Sequence, residues 1–166
     1  DLLRYCYRVA GTVGIMMCAV LRVRDVRAVH FAIDLGVGMQ LTNICRDDLE
    51  DASMGRVYLP SSRLHAAGTS AKDVLNGQAP PEAVTAVVTD LLALADRYYA
   101  SADKGMRAIP MPARAAILVA SRVYRAIGLR LMSVHRGNPL HGRTVVPMWS
   151  RMLWLMRGLA QLARPM

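Results

Sequence analysis

Apolar residues recur at helical spacing along most of this chain. In the segment 26–52, for example, Ile33, Val37, Leu41 and Ile44 fall on one face of a helix. The strict alternation of β-branched and polar residues that is typical of half-buried strands is scarce. The pattern therefore predicts an all-α protein whose helices bury one apolar face each.

Turn-forming residues separate the periodic segments. Pro80 and Pro81 are typical of a helix start, Pro110 and Pro112 interrupt the next stretch, and a turn is expected at Gly137 to Pro139. The predicted helices cover residues 2–22, 26–52, 61–66, 71–76, 81–107, 112–136 and 147–163. In the first of them, Gly11 and Gly14 would let a neighbouring helix or a ligand approach closely.

Length and composition agree with this prediction. The chain has 166 residues, which suits one domain, and 54% of them are hydrophobic, including eleven Met that suit the packing of a core. Cys6, Cys18 and Cys45 lack CxxC spacing, so neither a zinc site nor a disulfide framework is indicated. We expect buried thiols and a reducing cytoplasm.

Oxygen-bearing side chains line one face of the helix predicted at 26–52. Asn43, Asp47 and Asp51 stand at i, i+4 and i+8, and Gln40 lies on nearly the same line. Each step of four residues turns the direction by only about 40° and advances about 6 Å. Magnesium prefers such hard oxygen ligands and is commonly shared between one or two carboxylates and a substrate phosphate. The spacing therefore predicts a magnesium site and a phosphorylated partner.

The same residues allow a second interpretation. Helix carboxylates are usually solvated, or paired with nearby cations such as Arg46 and Arg56. The apolar stripe beside them argues that this acidic helix end belongs to a packed helix. Spacing alone leaves both interpretations open.

The net charge of +9 raises two further alternatives. Of the 21 basic residues only Lys72 and Lys104 are lysine, and this arginine dominance suits phosphate binding. It also suits a nucleic-acid-binding helical module, but the basic residues are dispersed and no nucleic-acid-binding motif is present. No nucleic-acid partner is therefore expected.

A basic module on a membrane surface is the other non-enzyme alternative. The apolar run 9–21 is shorter than the roughly 20 residues that span a bilayer. The tail 147–166 contains Trp149 and Trp154 together with Arg151 and Arg157, so it could lie on a lipid surface or pack as a terminal helix. Peripheral membrane contact is kept as a hypothesis.

Several ordered motifs resemble the squalene and phytoene synthase family. They are YCYRVAGTVG from Tyr5, QLTNICRDDLEDA from Gln40, and GRVYLP from Gly55. The stretches YYASADKGMRAIP and ILVASRVYRAIGLRL are similar to bacterial phytoene synthases in particular. The resemblance covers roughly residues 2–143.

This resemblance implies an isoprenoid synthase helical bundle that joins two molecules of geranylgeranyl diphosphate head to head. The reaction would pass through prephytoene diphosphate to phytoene, with Mg²⁺, or Mn²⁺ in its place, and without a nicotinamide cofactor. Squalene or dehydrosqualene synthesis from farnesyl diphosphate is the alternative within the same class. Because substrate and product are lipids, a cytoplasmic enzyme peripheral at the membrane is expected.

The resemblance also implies roles for particular residues. Tyr5, Asp47 and Asp51 are implied to be catalytic, and Asn43, Asp47 and Asp51 to bind the metal. Substrate contacts are implied for Val9, Val13, Gln40, Arg46, Arg56, Tyr124 and Arg143. From periodicity alone, Tyr124 would be a core residue in a stripe with Ile117 and Leu131.

One expected motif is absent from the sequence. The family carries a first aspartate-rich motif upstream of the YCY-type helix, and this chain opens at Asp1, directly before that helix. We therefore interpret residues 1–166 as the C-terminal part of a single isoprenoid synthase domain, so that the bundle is incomplete.

This interpretation predicts that residues 1–166 alone are inactive on geranylgeranyl diphosphate with magnesium, because half of the metal ligands are missing. The full-length parent should be active. Extraction and quantification of the hydrocarbon product from parallel assays of both proteins measures this. Turnover by the isolated segment would contradict the assigned roles.

Overall fold

The computed structural model describes residues 1–135, with side chains described through residue 133. The helix predicted at 147–163, the role of Arg143 and the tail hypothesis lie outside the described residues. Within the described part the fold contains helices and no strands, which confirms the all-α prediction. The helices are α1 (Leu2–Cys6), α2 (Thr12–Val20), α3 (Ala28–Ser53), α4 (Ser61–Ala66), α5 (Ala71–Leu75), α6 (Pro81–Gly105) and α7 (Met111–His135).

The predicted helix 2–22 is a rod with an irregular middle. A π-helical turn, Tyr7–Gly11, joins α1 to α2, and the helix ends at Val20 rather than at residue 22. Arg22 adopts a φ of 54°. Its N–H donates to Ala19 O at 3.1 Å, and the Val23 N–H donates to Cys18 O at 2.9 Å. These bonds form a Schellman ending, which satisfies the last carbonyls and stops the helix.

The other predicted boundaries lie close to the observed ones. The prediction 61–66 coincides with α4, and α5 begins with a capping box in which Ser70 and Asp73 bond reciprocally. Pro81 opens α6, as predicted, and a 3-10 turn, Met106–Ala108, follows it. The predicted ends of helices 26–52, 71–76 and 81–107 and the predicted start of helix 112–136 differ from the observed ones by two residues or fewer, counting that 3-10 turn with α6. The predicted end at residue 136 lies outside the described residues.

The core lies mainly between α3 and α6. The stripe predicted on α3 is confirmed, since Val37, Leu41 and Ile44 are buried and Ile33 packs against them half-buried. From α6 the side chains that face this stripe are small or branched, which lets the helices approach. They include Val84, Val87, Val88, Leu91 and Ala95.

Glycines bring α2 and α3 together at backbone distance. A Cβ added at Gly14 would lie 2.3 Å from Ala32 O, and one added at Gly36 would lie 2.3 Å from Ala10 O. The earlier residue on the rod meets the later residue on α3, so the two helices form an antiparallel hairpin. The close approach expected at Gly14 is confirmed, and Gly36 provides its counterpart on α3.

The described cysteines are free thiols. Cys6 and Cys45 are buried as expected, whereas Cys18 is only half-buried because it faces a cavity. In residues 1–135 no helix has both the length and the apolar character needed to cross a bilayer.

Candidate functional site

A cavity of about 330 Å³ runs along the α2–α3 hairpin and is bordered by the end of α6 and by α7. It is open to solvent beside the rod, where Val9 and Val13 are 43% and 45% exposed. Five residues that were predicted to bind substrate or metal line it, namely Val9, Val13, Gln40, Asn43 and Tyr124. The first two come from the rod, the next two from α3 and the last from α7. Tertiary packing therefore brings together residues that lie more than a hundred positions apart.

Polar side chains are confined to one end of this cavity. Gln40 and Asn43 lie near the C-terminal half of α3, where Asp47 and Asp51 follow on the same helix. The Oδ1 atom of Asn43 is buried and has no hydrogen-bond partner within the protein. An orphaned buried oxygen is costly unless a ligand satisfies it, so Asn43 presents a free acceptor at this end.

Asp47 is paired with its neighbour on α3. Arg46 Nε donates to Asp47 Oδ1 at 2.7 Å, and Arg46 Nη2 donates to Asp47 Oδ2 at 2.5 Å. Both side chains are largely buried, with 15% and 21% exposed respectively. The salt-bridged interpretation of the acidic helix end thus holds for this pair. The remaining lone pairs of a carboxylate still allow metal binding in addition to such a bidentate bond.

Asp51 lies at the junction of α3 and the following loop. Its backbone oxygen accepts from the Arg56 N–H at 2.9 Å, which folds the loop back toward the helix end. Burial, followed by the charge of Asp47, raises the pKa of Asp51, and the Arg56 guanidinium opposes this rise. Two carboxylates that repel each other are favourable partners for a metal ion, because the positive charge of the ion relieves their repulsion.

Tyr5 is held against that loop by a residue that the motif analysis did not single out. Its ring stacks on Tyr58, with centroids 5.2 Å apart and planes inclined by 22°. Burial, and then a hydrogen bond with Tyr58, raises the pKa of Tyr5, to which the Asp51 charge also contributes. Tyr5 therefore stays neutral and lies within electrostatic reach of the carboxylates. The aromatic residue in GRVYLP was the available signal for this contact.

Asp48 was also missed as a distinct residue. It points into the core rather than along the metal face, since it is only 2% exposed, and its Oδ2 atom has no hydrogen-bond partner. Burial raises the pKa of Asp48 to about 6, with a smaller contribution from Asp51. The sequence could not separate Asp48 from Asp47, because adjacent helix residues differ by about 100° in direction.

The donor set fits a hard divalent cation. Asn43 offers an unsatisfied oxygen, and Asp47 and Asp51 offer carboxylates whose mutual repulsion a cation would relieve. Among the described residues no three His, Cys, Asp or Glu side chains form a group that could hold a metal ion by themselves. Metal binding by these residues stays a prediction, as do the catalytic and substrate roles.

Arginine and tyrosine side chains surround this polar end. The hydrogen bond to Asp47 raises the pKa of Arg46, and burial of the guanidinium opposes this rise. Tyr124 lies close enough to contribute to the same rise. Arg56 is exposed on the loop beside Asp51. Of the ten predicted site residues in the described part, five line the cavity. The other five, which do not line it, interact with one another at the C-terminal end of α3 and in the loop after it, namely Tyr5, Arg46, Asp47, Asp51 and Arg56.

Comparisons with known proteins agree with the predicted family. A sequence model described as squalene/phytoene synthase matches residues 1–150. The chain is 44% identical, over 139 residues, to a 15-cis-phytoene synthase of Paracoccus sp. (strain N81106 / MBIC 01143), covering 84% of this chain and 43% of that protein. A 15-cis-phytoene synthase of Enterobacter agglomerans is 42% identical over 132 residues, covering 80% and 44%. A phytoene synthase of Rhodobacter capsulatus is 37% identical over 163 residues, covering 98% and 48%.

Solved structures share the fold. A dehydrosqualene synthase in complex with a ligand superposes with a TM-score of 0.85 at 30% identity, over 98% of this chain and 57% of that one. A squalene synthase from Alicyclobacillus acidocaldarius gives 0.75 at 19% identity, over 82% of this chain and 51% of that one, which indicates a common fold alone. The chain spans less than half the length of the three curated relatives described above.

The buried carboxyl of Asp48 predicts a pH-dependent stability difference. A carboxyl whose folded pKa is raised stabilises the fold fully only below its unfolded pKa, and this contribution is lost as the pH rises through about 6. Asp48→Asn should therefore be more stable than the natural chain at pH 7.5 by roughly 2 to 3 kcal/mol, and equal to it at about pH 3, below the unfolded pKa. Urea unfolding in EDTA measures this difference.

Asp90→Asn is the matched control, because Asp90 is exposed on α6 beside Arg63. Its effect should stay within about 0.5 kcal/mol at both pH values. An Asp48→Asn chain less stable than the natural one at pH 7.5 would show that the ionised carboxylate is stabilised in the core.

Proposed function

This chain belongs to the squalene/phytoene synthase family, and from that premise we propose that the protein condenses two molecules of geranylgeranyl diphosphate head to head into phytoene. Relatives named phytoene synthases, at 37 to 44% identity, support the reaction class. The single observation that carries the proposal is a cavity with the oxygen-bearing side chains of Gln40 and Asn43 at one end and apolar walls beyond them. Because the chain spans under half the length of those relatives, the proposal is about the activity of the whole protein.

The polar end would bind the diphosphate. Asn43, Asp47 and Asp51 would hold Mg²⁺, which when bound neutralises charge on the departing diphosphate. Arg46 and Arg56 would donate to its oxygens, since a guanidinium stays charged and presents parallel N–H groups. Arg46 is already oriented by Asp47, so it can serve carboxylate and diphosphate without a large rearrangement.

The remaining walls would protect the allylic cation. Val9, Val13 and Met39 present only hydrocarbon or thioether groups to the cavity. Val9 and Val13 are 43% and 45% exposed here, so with the rest of the protein in place such walls would exclude water, which would otherwise capture the cation as an alcohol. Tyr5, neutral and held by Tyr58, would orient the reacting end near the carboxylates without acting as a base at neutral pH.

The stretch of α3 that lines the cavity between Asn43 and Phe31 suits the length of a geranylgeranyl chain. The helical rise of about 1.5 Å per residue puts Phe31 about 18 Å along α3 from Asn43. An extended geranylgeranyl chain measures about 19 Å and a farnesyl chain about 14 Å, for carbon–carbon bonds of about 1.5 Å. Phe31 lines the cavity near its apolar end. The longer chain would fill the space between these two residues, whereas the shorter one would leave part of it empty.

Product identification tests the proposed reaction. Supplied with Mg²⁺, the full-length protein should convert geranylgeranyl diphosphate to phytoene with or without a nicotinamide reductant. Asp51→Asn should reduce kcat by about a hundredfold or more, because the loss of a ligand charge weakens leaving-group stabilisation. Gas chromatography with mass spectrometry measures both. A product made only from farnesyl diphosphate would favour the dehydrosqualene or squalene alternative.

The Phe31 contact with α6 predicts a change of chain-length preference. A Cβ at Gly105 would lie 2.3 Å from Phe31 Cβ and 2.7 Å from its ring, so Gly105→Ala should displace Phe31 together with its α3 backbone toward the cavity that Phe31 lines, at a cost in stability. This variant should shift the ratio of kcat/KM toward farnesyl diphosphate by about tenfold, and Phe31→Ala should shift it toward geranylfarnesyl diphosphate by a similar factor. Competition assays with the three diphosphates measure the ratios.

Gly38→Ala is the control for that experiment. Gly38 also lies at the α3–α6 contact, but its added Cβ would meet Tyr98 at 3.3 Å, away from the cavity lining. It should destabilise the fold slightly without changing the ratios. Equal ratios in all three variants would show that another part of the protein limits the chain length.

A further inference from the structure

The π-helical turn Tyr7–Gly11 lies in the rod between Tyr5 and most of the rod residues that line the cavity. Such turns contain one residue more than a regular helical turn, and they occur frequently at functional sites. We propose that Thr12, whose hydroxyl closes this turn, is a positioning residue that directs Tyr5 toward the carboxylate end of α3. The role of Tyr5 rests on the proposed function, whereas the turn is argued from its hydrogen bonds.

The hydrogen bonds of Thr12 define the turn. Its N–H donates to Tyr7 O, five residues earlier, where a regular α-helix would use Arg8 O, four residues earlier. The Thr12 hydroxyl donates to Arg8 O at 2.8 Å. A threonine hydroxyl can make this bond in any helix, but here it supplies Arg8 O with a donor in place of the N–H that has moved to Tyr7 O. The side chain therefore stabilises the π turn relative to a regular turn.

The turn changes the direction in which Tyr5 points. At regular helical spacing Tyr5 would lie on the same face as Val9 and Val13, which follow it by four and eight residues. Val9 and Val13 line the cavity, but Tyr5 does not, and its ring stacks on Tyr58 in the loop after α3. One residue accounts for about 100° of rotation and about 1.5 Å of rise along a helix. The extra residue thus turns Tyr5 away from the cavity face and toward that loop.

The part of the rod after the turn is fixed in place. The backbone contacts at Gly14 and Gly36 hold α2 against α3. A change in the turn would therefore rotate α1, which has only five residues and contains Tyr5. Thr12 does not line the cavity, so its effect on the reaction would pass through Tyr5.

Kinetics of the full-length protein test the proposal. Thr12→Val keeps the shape of the side chain but removes the hydroxyl, so kcat with geranylgeranyl diphosphate should fall about threefold to tenfold, the factor that one hydrogen bond is worth. KM should stay within about twofold, because no residue that lines the cavity has changed. Thr12→Ser retains the hydroxyl and should keep the natural kcat.

Deletion of Arg8 provides the sharpest comparison. Arg8 is exposed and does not line the cavity. Without it, Tyr7 O lies four residues before the Thr12 N–H, so the same hydrogen bond becomes that of a regular helix and Tyr5 keeps its direction. The deletion alone should leave kcat nearly unchanged, and Thr12→Val should then have no further effect. A loss of kcat on Thr12→Val that is equally large with and without Arg8 would overturn the proposal.

A spectroscopic signal reports the direction of Tyr5 without catalysis. Because its ring stacks on Tyr58, the nuclear magnetic resonance signals of Tyr5 should differ from those of an unstacked tyrosine. The Tyr5 signal, identified by its loss in Tyr5→Phe, should move in Thr12→Val toward its position in Tyr58→Leu. In Thr12→Ser it should keep its natural position. A signal that Thr12→Val leaves in place would contradict the proposed role of Thr12.

Ser133→Ala is the control for the loss of a hydroxyl. The Ser133 hydroxyl donates to Arg130 O at 3.2 Å within the regular helix α7. Both kcat and the Tyr5 signal should stay unchanged in this variant. A protein that makes no phytoene but shows the expected movement of the Tyr5 signal would refute the proposed function alone. An active protein whose kcat does not respond to Thr12→Val would refute the role of Thr12 alone.

Discussion

The site depends on the backbone contact between the rod and α3. At Gly14 and Gly36 the absence of a side chain lets each helix touch a carbonyl of the other, Ala32 O and Ala10 O. Any side chain at these points would separate the helices. Because the backbones of the rod and α3 touch at these two points, the side chains on one side of the contact border a long apolar space. The same contact carries Tyr5 to the level of the carboxylates at the far end of α3.

The hairpin also gives the cavity its direction. Antiparallel helices joined by a short loop have one connected end and one free end, and the apolar lining residues Leu21 and Ala28 lie at the connected end. Asn43 lies toward the free end, followed by Asp47 and Asp51. A ligand with a charged head and a hydrocarbon tail therefore fits this space in only one orientation. At the polar end, the ion pair between Arg46 and Asp47 reduces the repulsion between Asp47 and Asp51 on neighbouring turns of α3.

Local patterns predicted much of this architecture. The stripe of Val37, Leu41 and Ile44, the proline at the start of α6 and the i, i+4, i+8 series on α3 are consequences of helical geometry, which repeats within one element. Motif resemblance added the family, and five of the residues that it implied line the cavity. The rod was predicted as one helix over residues 2–22, whereas it contains a π turn and ends at Val20. Hydrophobic spacing does not reveal the extra residue that a π turn inserts.

The sequence by itself determined the helices, the faces they bury and the alignment of oxygen-bearing side chains along α3, because each depends on residues a few positions apart. Only the tertiary structure decided that Asp48 lies in the core while Asp47 binds Arg46, that Tyr58 supports Tyr5, and that Phe31 meets Gly105. These outcomes depend on which elements pack together and at what distance. Such contacts join residues far apart in the chain, so no local spacing encodes them.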